Sequence, residues 1–220
     1  CTTCLLIAWE DLTFFCNYIV AQANMGQNIR SVNLSLGGVG PIAANENGNT
    51  RRALAAGSRA GIIWVFAAGN DNLNIEPSSL PPLVWGGRNY PQSYFPAYFS
   101  NPNVYPDVIG LSVAAMMKDG EAASFSNWGP ESVSIAAPGD QILSLGSASD
   151  SDYELMRGTS MAAPFVAGAV SLLASAEPNA TAQEIRNAIF QSATATESFA
   201  QTLLPGRTSH KPIASAGRLN

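Results

Sequence analysis

Seven consecutive apolar residues, Ile62 to Ala68 (IIWVFAA), constrain this chain more than any other feature. A strand with one face in water alternates apolar and polar residues. An unbroken apolar run of this length marks a strand buried on both faces, as in a parallel sheet covered by helices on either side. Residues 51–60 read as a helix stopped at Gly61, and a helix followed by a buried strand is the rhythm of α/β architecture. The rhythm also appears upstream. Leu12, Phe15, Tyr18, Ile19 and Ala23 fall at helical spacing within 11–26, with Gly26 as the C-cap, and SVNLSLGG (31–38) is an apolar-rich strand ending in glycines. Further strands are expected at 107–116 and 132–137, and a helix over 160–176 with Pro164 in its first turn or just beyond. A last helix is expected over 182–194, where Thr181 is the N-cap and Glu184 completes a capping box. Between 71 and 106 the rhythm fails. Seven prolines there predict a long irregular excursion.

Composition narrows the function. With 220 residues, 46% of them hydrophobic, the chain suggests one domain or one large piece of one. Charged residues make up only 12%, the net charge is −5, and Lys118 and Lys211 are the sole lysines. Phosphate binding needs a clustered basic surface, so a nucleic-acid partner is not expected. No apolar run reaches the roughly 18 residues of a membrane span. Cys1 and Cys4 form a CxxC pair with no second pair and one distant histidine, so no metal site is expected; a local disulfide or plain thiols both remain open. The chain opens on Cys1, and no basic segment followed by an apolar stretch reads as a signal peptide.

The sharpest chemical feature is GTSMAAP, Gly158 to Pro164. A serine at a strand-to-helix junction places its hydroxyl near unpaired backbone N–H groups and the positive end of the helix dipole, where negative charge can develop. Gly158 lets the backbone bend close to a substrate, and Ala162 and Ala163 let the helix pack tightly behind the site. A serine before an apolar helix is, by itself, most often only an N-cap. Asn70 stands in Gly-Asn-Asp, which is also turn chemistry.

The full heptapeptide resembles the serine motif of the subtilisin family, and three further segments follow that family in order. SVNLSLGG resembles its substrate-binding strand, VFAAGND (65–71) its oxyanion segment, and ASFSNWG with VSIAAPG (123–129 and 133–139) the paired strands before the nucleophile. SAGRLN (215–220) resembles the short motif that introduces the final helix. The resemblance implies a three-layer α/β fold, with a mostly parallel sheet and helices on both faces, incomplete at both ends. It implies a serine endopeptidase acting on extended polypeptide through an acyl-enzyme. Ser160 would be the nucleophile, and the Asn70 amide would stabilise the oxyanion together with the Ser160 backbone N–H. Ser35, Leu36 and Gly37 would bind substrate as an added strand, and Ala67, Ala68 and Gly69 would line one wall of the specificity pocket. No cofactor is required. Calcium often stabilises the family, but Asp107, Asp119, Asp140, Asp150 and Asp152 read first as solvated loop carboxylates. A secreted or otherwise extracytoplasmic setting is also implied. The oligomeric state is left open.

The family's triad runs Asp, His, Ser along the chain. The sole histidine here is His210, fifty residues after Ser160, and Asp11 is the only aspartate before residue 31. Residues 9–220 are therefore expected to be the C-terminal part of one peptidase domain, nearly inactive alone. Residues 1–8 are unassigned, with a non-native reading frame one reading of them. A catalytically inactive subtilisin-like binding module is the alternative, and a plain α/β domain a third. An α/β-hydrolase order fails because the second glycine of GxSxG is absent and no aspartate follows Ser160.

Overall fold

The computed structural model describes residues 9–41, 46–76, 78–85, 88–90, 92–146, 148–201 and 210–220. In chain order the elements are α1 (Trp9–Asn24), β1 (Ser31–Leu34), β2 (Gly38–Pro41), α2 (Glu46–Arg59), β3 (Ile63–Ala67), β4 (Leu83–Trp85), β5 (Arg88–Tyr90), β6 (Gln92–Phe95), β7 (Gly110–Met116), β8 (Ile135–Pro138), β9 (Ile142–Leu145), β10 (Tyr153–Met156), α3 (Thr159–Ala176), α4 (Ala182–Gln191), β11 (Thr194–Ala195) and β12 (Gly217–Arg218). Residues 1–8, left unassigned above, lie outside the described residues.

The central sheet runs in the order β1-β3-β7-β8-β12-β11. Each neighbouring pair from β1 to β12 is parallel, and only β11 runs antiparallel. The apolar run explains the layering. Along β3, successive side chains point to opposite faces. Ile63, Val65 and Ala67 join Ala162, Ala163, Val166 and Val170 of α3 and Ile185 and Ile189 of α4. Trp64 and Phe66 join Leu12 and Cys16 of α1 and Leu54 of α2. One strand thus carries two cores, which makes the fold a three-layer α/β/α sandwich with helices on both faces. Each fully buried aliphatic side chain contributes about 1.5–3 kcal/mol.

Helix ends follow local chemistry. After α1, Gly26 adopts φ 94°, and the amides of Gly26 and Gln27 bond the carbonyls of Ala23 and Gln22. At α4 the Thr181–Glu184 capping box forms as expected. Helix α2 begins at Glu46, five residues before the expected start, despite the poor helix formers in ENGNT. Packing between α1 and α2 overrides propensity, and Thr50, 1% exposed, shares a 2.6 Å hydroxyl bond with Thr13.

Three expectations are corrected. The strand expected over 31–38 is two elements: β1 in the central sheet and β2, which pairs antiparallel with β6. The 71–106 excursion holds β4, β5, β6 and a short 3-10 turn (Ala97–Ser100). Its prolines cannot donate to a ladder, which confines pairing there to two-stranded ribbons of three or four residues. Residues 123–129 form turns and isolated bridges in place of a strand, because Ser126 and Asn127 bond backbone groups elsewhere. Helix α3 is long and apolar enough, by length and composition, to cross a membrane, but its buried face packs on the sheet as a core helix does.

Candidate active site

Ser160 is the second residue of α3 and lies half-buried at the carboxyl end of the parallel strands. Its position is set from two sides. Pro164, one turn later, has no N–H, so the Ser160 carbonyl has no partner in the helix ladder. The Ser35 hydroxyl donates to that carbonyl at 2.9 Å, and the Ser160 hydroxyl in turn donates to the Ser35 carbonyl at 3.4 Å. Asn33 Nδ2 steadies Ser35 Oγ at 2.9 Å. The end of β1 is thereby tied to the start of α3.

Thr159, fully buried, makes the second connection. Its backbone N–H donates to Asn70 Oδ1 at 2.8 Å, and its Oγ1 donates to the same oxygen at 3.0 Å. Thr159 Oγ1 also accepts from the Gly69 amide at 3.0 Å. A backbone N–H can only donate, so the atom it meets must be the carboxamide oxygen. The Asn70 amide is thereby fixed, with Nδ2 as its open end, and Asn70 is exposed. The sequence reading missed Thr159 as a functional residue although it lies within GTSMAAP; what marks it is a buried hydroxyl with two partners.

The VFAAGND segment turns sharply at Gly69, φ 104°, where a Cβ would overlap the Tyr94 ring and the Asn127 amide. Burial, followed by the nearby Asp71 carboxylate, holds the Tyr94 phenol well above its ordinary range. Ala67 and Ala68 are buried at the end of β3. Leu36 packs on the core beside β1, and Ser35 to Gly37 are irregular backbone past the end of β1. The structure therefore brings Ser160, Asn70, Ser35 and the Ala67–Gly69 segment together.

It does not bring His210 to Ser160. Among the described residues no hydrogen bond joins them, and the neighbouring Lys211 donates from Nζ to the carbonyls of Ala123, Ser124 and Ser126 at 2.9, 2.8 and 3.0 Å. A cavity of about 280 Å3 adjoins Ser160, lined by Ile142, Leu143, Ser144, Met161, Pro164 and Phe165. None of these residues is a base. Among the described residues no three His, Cys, Asp or Glu side chains gather as a metal site. Of the carboxylates named above, Asp107 pairs with Arg51 at 3.0 Å, Asp119 accepts from the Glu121 amide and Asp152 from the Ala148 amide.

A serine hydroxyl at a helix start, one residue after the threonine that holds an exposed carboxamide by its oxygen, is an arrangement that can attack a carbonyl and stabilise an oxyanion if a base removes the proton. That geometry stands on a parallel α/β/α sheet. The chain belongs to the subtilase family, whose model matches residues 16–208. It is 32% identical over 170 residues to a thermostable alkaline protease of Halalkalibacterium halodurans, covering 77% of this chain and 38% of that protein. It is 37% identical over 157 residues to subtilisin-like protease 1 of Arthroderma gypseum, covering 71% of this chain and 26% of that protein. The chain thus spans well under half the length of these curated relatives. Among solved structures, the prenylagaramide maturation protease PagA is similar at TM-score 0.70 and 24% identity, over 99% of this chain and 67% of that one. A cold-adapted subtilisin-like serine proteinase is similar at TM-score 0.63 and 21% identity, over 94% and 61%. These two similarities concern the fold.

Proposed function

We propose that this chain carries the nucleophile and oxyanion half of a serine endopeptidase. Ser160 attacks the scissile carbonyl of an extended polypeptide. Asn70 Nδ2 and the Ser160 backbone N–H hold the oxyanion. Ser35 to Gly37 align the substrate as an added strand, and Ala67 to Gly69 wall the primary specificity pocket. The observation that carries this reading is the pair of Thr159 bonds to Asn70 Oδ1, which hold the amide by its oxygen one residue before Ser160 and leave Nδ2 as the donor without a hydrogen bond among the described residues.

The catalytic base and its aspartate come from residues outside this sequence. In support, His210 is the sole histidine, the edge of β1 away from β3 pairs with no strand among the described residues, and Phe165 and Leu172 of α3 are 45% and 75% exposed. Residues 9–220 are on this reading the C-terminal part of one peptidase domain. An extracytoplasmic place of action rests on family resemblance alone.

The test compares the 220-residue chain with the protein translated from its whole transcript. The whole protein should hydrolyse an unstructured polypeptide and take up a fluorophosphonate at Ser160. The chain alone should be slower by about 10⁶, which is the magnitude known for loss of the histidine in subtilisin itself. A whole protein that neither cleaves nor labels would instead favour an inactive binding module.

A further inference from the structure

We infer that Asn127 is a positioning residue for the oxyanion-binding segment: its buried carboxamide sets where Asn70 stands. The inference rests on the role proposed for Asn70 above.

Asn127 is 0% exposed and uses both ends of its side chain. Oδ1 accepts from the Asp71 amide at 3.0 Å and the Leu73 amide at 2.9 Å. Nδ2 donates to the Ala68 carbonyl at 3.0 Å and reaches Asp71 Oδ2 at 3.5 Å. The Asn127 main-chain N–H donates to the Gly69 carbonyl at 2.9 Å. The two carbonyls before Asn70 and two amides after it therefore end on one residue. Thr159 fixes the orientation of the Asn70 side chain, and Asn127 fixes the backbone that carries it.

Asparagine suits this place for a physical reason. The position needs an acceptor for two amides and a donor for a carbonyl within one planar group. Aspartate keeps the acceptor, but sets a carboxylate against the Ala68 carbonyl and the Asp71 carboxylate. Glutamine adds a methylene where no space is exposed. Serine cannot reach both sides. Asn127 is itself anchored: Ser126 Oγ donates to the Asn127 carbonyl at 2.9 Å and accepts from the Ala115 amide of β7 at 2.9 Å. The oxyanion segment is thus referenced to the rigid centre of the sheet. An error of about 1 Å in such placement costs up to 10²-fold in rate.

The test introduces Asn127→Ser and Asn127→Asp into the protein made from the whole transcript, alone and with Asn70→Ala. Each single variant should lower kcat about tenfold to a hundredfold with KM within about twofold. In the Asn70→Ala background the same changes should cost less than about threefold, because the group they position is gone. Losses that multiply in full across the two backgrounds, or a folded variant with unchanged kcat, would overturn the inference. Amide exchange provides a readout independent of activity. Exchange at Asp71 and Leu73 should accelerate in Asn127→Ser relative to the β3 and β7 amides; unchanged relative rates would overturn the inference. An inactive parent protein would instead count against the protease reading, and the exchange result would still decide the role of Asn127.

Discussion

Thr159→Val removes one oxygen and almost nothing else. Valine keeps the β-branched shape, so the 0% exposed site stays filled and the start of α3 keeps its backbone. Two bonds vanish. The Gly69 amide loses its 3.0 Å acceptor inside the protein, and Asn70 Oδ1 loses the hydroxyl while keeping the Thr159 amide at 2.8 Å. A buried donor left unpaired costs about 1–3 kcal/mol, and the second bond, to an exposed residue, less than about 1. The expected loss is therefore about 1–4 kcal/mol, centred on about 2.5. With a urea m-value of about 2–3 kcal/mol per molar, the unfolding midpoint should fall by about 1 M at unchanged m. Thr159→Ser, which keeps the hydroxyl, should fall by less than about 0.4 M on the same scale. A Thr159→Val midpoint within about 0.2 M of the parent would refute the reasoning, since it would mean the Gly69 amide does not depend on this oxygen. On the oxyanion role proposed for Asn70, kcat of the protein with its base should fall about tenfold with KM nearly unchanged, because that role acts on the transition state more than on bound substrate.

Two further outcomes follow from a buried thiol and a half-buried ammonium. Burial pushes the Cys16 thiol up to about 12 from 9.0. Between these values the unfolded chain has lost this proton while the native chain keeps it, so stability should fall as pH rises above about 9, by up to about 1.4 kcal/mol per pH unit. Chemical unfolding across about pH 8.5–10.5 should show that slope in the parent and a flatter one in Cys16→Ala, and iodoacetamide at about pH 8.5 should leave native Cys16 unmodified. Lys211→Met keeps the aliphatic stem but leaves the carbonyls of Ala123, Ser124 and Ser126 without their shared ammonium. A loss of about 2–4 kcal/mol is expected from bonds to a charged donor, read as a lower thermal midpoint, and an unchanged midpoint would show the cradle to be satisfied by water.

The sequence alone was enough for elements whose cause is local. The unalternating Ile62–Ala68 run announced a strand buried on both faces, and β3 carries both cores. Thr181 and Glu184 announced the capping box because the two partners lie three residues apart. The GTSMAAP and VFAAGND segments singled out Ser160 and Asn70 as candidates, since both stand in contiguous motifs, and the fold brings the two segments together through Thr159.

What the sequence did not determine depends on partners far apart in the chain. Strand β12 is two residues long, too short to show any period, and is a strand only because β8 and β11 flank it. The run 123–129 looks like a strand in sequence, yet the side chains of Ser126 and Asn127 bind backbone of β7 and of the Ala68–Leu73 segment, which bends it into turns. Which atom of the Asn70 amide is held was equally undetermined until Thr159 was brought against its oxygen. Periodicity and motif record the interactions a residue makes with its near neighbours. The direction of a side-chain donor is set by whichever backbone group the folded chain delivers to it, and that was decided by the tertiary structure.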